Sequence, residues 1–160
     1  MLKSKISNIT NPIATIADFK EAIGGISHAL KDGEIQRDLD AAMIWVTEKS
    51  NIPAMDFEVR LMQDKETLKQ DLLFDNITIT TVKDLLTGDE ITYTTDALNS
   101  KVILDTEYQL LINYSCVKED NPVLKNTVIR YAIVLYSGQT DKDAMTQIMK
   151  DLRSIQSEIF

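Results

Sequence analysis

One stretch limits what this chain can fold into more than any other. Residues Pro122 to Tyr136 carry apolar side chains on nearly every side of a helix that Pro122 opens and Ser137-Gly138 stops. A helix apolar all round has to be covered on several sides, at the centre of a fold or between copies of the protein. The residues before it prepare that burial. An alternating strand runs from Tyr108 to Val117, with Tyr108, Leu110, Ile112, Tyr114 and Cys116 on one face, and an acidic turn, Lys118 to Asn121, leads into the helix.

Helical spacing recurs in three more places. Ile13, Ile16, Phe19, Ile23, Ile26 and Leu30 repeat at three- and four-residue intervals, interrupted by Gly24-Gly25, each of which costs about 1 kcal/mol relative to alanine inside a helix. Ile35, Leu39, Ala42, Met43 and Val46 predict a second helix over residues 34–49, ended by Pro53. At the C-terminal end, Met145, Ile148, Leu152, Ile155 and Ile159 step by three, four, three and four, a narrow seam of the kind that pairs helices. Thr140 and Asp143 suggest a capped start for that helix. The seam has two readings: it packs onto this chain's own core, or it docks against a second copy or a partner.

Between the second helix and Pro122 the period changes. Met55, Phe57, Val59 and Leu61 alternate with Asp56, Glu58 and Arg60, a half-buried strand. Residues 77–82 and 90–95 predict a hairpin with a wide loop around Thr87-Gly88-Asp89, and residues 101–105 a short strand. Residues 63–76 fit either one or two helical turns or a long exposed loop. Residues 1–12 read as a flexible arm ending at Asn11-Pro12. The expectation is a single α+β domain over residues 1–160: a helical core of two N-terminal helices, a central apolar helix and a C-terminal amphipathic helix, with a small antiparallel β region inserted.

Chemistry-bearing residues are sparse. His28, the one histidine, sits beside the apolar stripe of the first helix with no ligand partner at i+4, so it reads as structural. Cys116 falls on the inward face of its strand and reads as a small buried hydrophobe. The carboxylate pairs Asp38/Asp40, Glu119/Asp120 and Asp141/Asp143 lie at helix starts or in turns, where acids favour the helix dipole or solvate a loop. There is no EF-hand spacing and no glycine-rich phosphate loop. The expectation is a protein with no catalytic, metal or cofactor site. The first ten residues carry two lysines without an apolar segment behind them, so no signal peptide is expected, and no apolar run approaches the ~20 residues that span a bilayer. With 25 acidic against 17 basic residues, the net charge of −8 speaks against a protein that wraps nucleic acid.

The order and spacing of residues 34–138 resemble the head–tail connector proteins, or adaptors, of tailed bacteriophages. Leu39 to Val46 is similar to their Ala- and aromatic-rich second helix, and Ile77 to Thr95 to their β-hairpin. Tyr108 to Tyr114, Asn121-Pro122 and Val128 to Tyr136 are similar to their strand, proline-marked turn and long apolar helix. The resemblance implies a structural virion protein, made in the host cytoplasm. It would form a ring of twelve subunits at the portal vertex, extend the DNA channel and join head to tail. Its partners would be further copies of itself, the portal protein, a tail or stopper protein, and DNA passing without sequence-specific contact along an electronegative wall. Met145, Ile148, Leu152, Ile155 and Ile159 would then form the oligomer or portal-docking surface, with residues 63–76 as the other candidate for gripping the portal. The alternative is a small acidic cytosolic chaperone that dimerises and holds an extended partner.

Overall fold

A computed structural model describes residues 1–24, 30–138 and 142–158. The elements in chain order are β1 (Leu2–Thr10), α1 (Ile16–Ala22), α2 (Asp32–Ser50), β2 (Asp56–Asp71), β3 (Ile77–Asp84), β4 (Thr94–Thr95), β5 (Lys101–Cys116), α3 (Pro122–Ser137) and α4 (Lys142–Glu158). They fall into two compact units that interleave in sequence. The first holds Met1–Asn11 and Met55–Lys118; the second holds Pro12–Ala54 and Glu119–Phe160.

The first unit is a five-stranded antiparallel sheet in the order β1-β2-β5-β3, with β4 also paired to β5. This overturns the expected helical core with a small β insert: the chain is a mixed α/β structure in which strands dominate one whole unit. Three segments account for the difference. Residues 2–10, expected as an arm, pair with β2 from Leu2 opposite Gln63 to Thr10 opposite Asp56. Residues 63–71, expected as turns or loop, continue β2 to Asp71. Residues 101–116 are one strand, and Thr94–Thr95 pairs with β5 instead of closing a hairpin on β3, which keeps only a bridge from Lys83 to Glu90. In the first two of these segments most residues are exposed, so backbone pairing holds them in the sheet without an apolar alternation to announce it.

β5 has to bend. Lys101 at its start pairs with Asp71, and Cys116 at its end pairs with Ile77. Straight, those fifteen steps would cover about 50 Å. The chain from Asp71 to Ile77 has six steps and reaches at most about 20 Å. The bend falls where the register shifts: Thr67 opposes Tyr108 while Lys69 opposes Ile103, leaving residues 104–107 of β5 to turn the corner. The short crossing is tied down by Leu72 N–H to the Ser100 carbonyl (2.8 Å), by Leu73 N–H to the Tyr114 hydroxyl (3.0 Å) and by an edge-on contact of Phe57 with Phe74 (5.2 Å). Along the straight half, the inward set Phe57, Val59, Leu61, Leu110, Ile112, Tyr114 and Cys116 is buried, as the alternation requires.

In the second unit α3 touches α1, α2 and α4. Leu124, Thr127, Val128, Ile129 and Ala132 are buried on it. Its start is set by Asn121, whose side-chain oxygen accepts from Val123 N–H (2.9 Å) and Leu124 N–H (3.2 Å), with Pro122 in the first turn. Its end is set by Gly138 at φ 65°, a left-handed position that a glycine takes without a Cβ penalty. The first helix is shorter than its repeat suggests. It runs from a Thr15/Asp18 capping box to Ala22, and Gly24 follows at φ 79°. Ile26 and the expected Thr140 cap lie outside the described residues. Asp18 also meets Lys125 of α3 at 3.0 Å. Burial works to raise its pKa, but the Lys125 contact and the Thr15 donors outweigh it, so the carboxyl sits below the usual range.

Replacing Asn121 with Ala removes the acceptor for two part-buried helix donors and is expected to cost about 1 kcal/mol in chemical denaturation, whereas Asn121→Asp holds the wild-type midpoint within a few tenths. Asp18→Asn should flatten the fall in stability on acidification. A carboxyl with a depressed folded pKa stabilises the fold above its unfolded pKa, and that contribution is lost as pH falls through the folded value.

Candidate interaction surfaces

The C-terminal seam turns inward. Ile148, Leu152 and Ile155 are 0%, 3% and 1% exposed, and α4 lies on α3 and α2. Met145 is half-buried, and Ile159 lies outside the described residues. Polar contacts fix the helix at both ends of this packing. Arg130 of α3 donates to Asp151 (2.6 Å), which also accepts from Gln147 (2.8 Å), and the Gln156 amide donates to the Lys49 carbonyl (3.1 Å) at the end of α2. Burying an Ile or Leu side chain contributes about 1.5–3 kcal/mol. The three central seam residues are therefore this unit's core rather than an open docking face. What α4 offers to solvent near the seam is Met145 together with Met149, which is 39% exposed.

The central helix keeps part of its apolar surface open. Tyr131, Ile133, Val134, Leu135 and Tyr136, in its last two turns, are all half-buried. Tyr131 stacks on Trp45 of α2 with ring centroids 4.1 Å apart, and the Lys49 ammonium lies 6.0 Å from the Trp45 ring. Tyr136 packs edge-on against Phe19, and its hydroxyl accepts from Lys31 N–H. A stacked aromatic pair, half open and held by neighbours on both helices, loses little side-chain entropy on meeting a partner.

The acidic pair on α2 does not converge. Asp38 and Asp40 stand two residues apart on α2 and point to different sides of it. Asp38 is buried beside Arg37 (Nε to Oδ1 3.3 Å) with Oδ2 unpaired, while Asp40 is exposed and accepts from Gln36. Glu119 N–H donates to the Pro53 carbonyl (3.0 Å) in the turn before α3. Asp141 and His28 lie outside the described residues. Among the described residues no three His, Cys, Asp or Glu side chains come together as a metal site would need, and no helix is long and apolar enough to cross a membrane. Cys116 is buried. Its thiol pKa is pushed up to about 12, by burial first and then by the negative charge of Asp75.

No protein-family model matches the chain, and no curated protein matches it. A solved structure does: a chain in the neck of an empty GTA particle, computed with sixfold (C6) symmetry. It superposes with a TM-score of 0.57 at 14% identity, covering 88% of this chain and 86% of that one. The two share a fold across most of both lengths.

Two outcomes follow from these placements. Leu152→Asp with Ile155→Asp sets two carboxylates into a packed interior, so the variant should lose its cooperative thermal transition; a folded monomer would show instead that the seam is open. Cys116 should resist a thiol-specific reagent at pH 8 in the native protein and react fully in denaturant. Its raised folded pKa also makes the wild-type lose stability relative to Cys116→Ala as pH rises from about 9 towards 12, where only the unfolded thiol ionises.

Proposed function

We propose that this protein is a structural subunit of the neck of a tailed-phage-type particle, where copies form a ring that joins head to tail around the DNA channel. The observation that carries the reading is the fold shared, over nearly nine-tenths of both chains, with the neck of a particle solved under sixfold symmetry. Subunits of a neck work by shape and contact, and we propose no catalysis for this one.

A ring uses two different faces of each subunit, and its rotation must close. This chain has surfaces to spare for that. The last two turns of α3 leave apolar side chains half open, and Met149 on α4 adds an exposed methionine. We assign the subunit contacts to these surfaces, with the buried part of the seam holding α4 in place beneath them. The symmetry of the neighbour favours a subunit number that is a multiple of six, of which the connectors' twelve is one. The adaptor role, with the portal on one side and the tail or stopper on the other, is the form of this reading that the connector resemblance supports.

Native mass spectrometry of the purified chain, alone and mixed with the portal protein of the same particle, tests it. The expected species is a ring whose subunit count divides by six, formed alone or on the portal. A compact dimer under both conditions would overturn the proposal in favour of the partner-holding chaperone, and a monomer that ignores the portal would overturn it outright.

A further inference from the structure

We infer that the open face of the first unit's sheet is a contact surface for the sugar-phosphate backbone of double-stranded DNA. The neck reading supplies only the reason such DNA would pass by; the surface itself follows from the strand register.

Residues directly opposite one another in an antiparallel ladder point to the same face. Lys5 faces Arg60, which faces Asn113, which faces Thr81; the next row runs Lys3, Met62, Leu111 and Lys83. The hydrogen bond from the Asn113 amide to the Thr81 hydroxyl (2.9 Å) confirms that this row shares one face. The opposite face is the buried one, with Val59, Leu61, Ile112 and Tyr114. Two adjacent rows thus carry four cations, and the second continues past Lys83 to Glu90, directly opposite it. Lys3, Lys5 and Arg60 are exposed and Lys83 is half-buried. Lys3 and Lys5 stand about 7 Å apart along β1, and Lys3 and Lys83 are three strand spacings apart, about 14 Å.

Among the described residues no ion pair uses Lys3, Lys5 or Arg60, while Lys83 has Glu90 across from it. The ion pairs among the described residues involve other cations, such as Lys20, Lys101, Lys125 and Arg130. The next row outward holds an acid, Glu58, but it accepts from the Asn8 amide. Lys5 directly opposite Arg60 is a like-charge pair, an arrangement that destabilises a sheet. A protein of net charge −8 that gathers Lys3, Lys5 and Arg60 without an ion-pair partner on one face, at some cost to the sheet, has placed them for an anion outside itself.

The side chains between the cations identify the anion. Thr81 and Asn113, with Thr78 and Ser115 in the outer row beside Glu58, bring hydroxyl and amide donors, the groups that join Lys and Arg on phosphate oxygens. Protein interfaces are depleted in lysine and built on apolar and aromatic centres. These two rows hold three lysines, no aromatic, and only Met62 and Leu111 as apolar members. The lack of an aromatic also excludes base stacking, so the contact is with the backbone and independent of sequence. The acidity of the rest of the chain keeps the contact weak, as DNA that must move requires.

Fluorescence anisotropy with a short labelled duplex, titrated over a salt series, tests the inference alongside native mass spectrometry. The wild-type should bind at low salt, with a log–log slope of about −0.9 per phosphate neutralised, roughly −3 for Lys3, Lys5 and Arg60. Lys5→Glu with Arg60→Glu preserves a like-charge pair across the ladder, so its melting temperature should stay at the wild-type value. Its affinity should fall roughly tenfold or more and its slope shrink by about 2. Lys150→Glu with Arg153→Glu on α4 changes the net charge equally and should leave binding within about twofold of wild-type. No binding at low salt, or equal losses in the two variants, overturns the inference. So does a Lys5/Arg60 variant that loses ring assembly while the wild-type ignores DNA, which would make the face a subunit contact. A ring without duplex affinity defeats this inference alone, whereas duplex binding by a chain that stays monomeric beside the portal defeats the neck reading alone.

Discussion

Strand β5 organises the first unit because its backbone has to find hydrogen-bond partners on both sides. A buried strand whose N–H and C=O groups lack partners is prohibitively unstable. β5 meets that demand with β2 along one side and with β3, then β4, along the other. No straight strand could do so here, since Asp71 and Ile77 lie at opposite ends of its pairing and only a short crossing joins them. The corner at residues 104–107 is therefore required by connectivity. The bonds from Leu72 and Leu73 across the crossing hold the corner closed.

Periodicity reveals burial, and the parts of this chain with one-sided burial were legible. α2 and α3 begin and end within two residues of their expected limits, and the even-numbered face of β5 from Leu110 to Cys116 is buried as its alternation says. β1 and the outer half of β2 were not legible for the complementary reason. Lys3, Ser4, Lys5, Lys65 and Glu66 are exposed, so no apolar alternation marks them, and their place in the sheet comes from pairing that a single sequence does not display. The brief β4 shows the same limit, because residues 90–95 have strand-like composition but divide between two strands, Glu90 and Ile91 meeting β3 and Thr94 and Thr95 joining β5.

The interaction surfaces divide along the same line. The spacing of Met145, Ile148, Leu152 and Ile155 states correctly that one side of α4 is covered, but spacing cannot say whether the cover is this chain or another. The structure gives that role to α2 and α3. The excess apolar circumference of α3 was readable, and its half-open last two turns are its visible remainder. The cation rows had no signal in sequence at all. Lys3, Lys5, Arg60 and Lys83 are scattered over eighty positions, and only the register of three strand pairings makes them neighbours.

Those lysines also bear on how the sheet avoids the wrong partner. β1 and β3 are its edges, and a nine-residue edge strand offers unpaired backbone groups to any strand that approaches. Two exposed lysines on β1 and the bulge between Ile79 and Thr81 on β3 oppose flat, indiscriminate pairing at both edges. In the ring proposed above that protection would matter, because head-to-tail contacts in the wrong geometry would extend into open filaments. On this argument the charges along β1 discourage edge-to-edge association, which in the proposed ring leaves the helical unit, with its half-open aromatic and aliphatic side chains, as the place for subunit contacts.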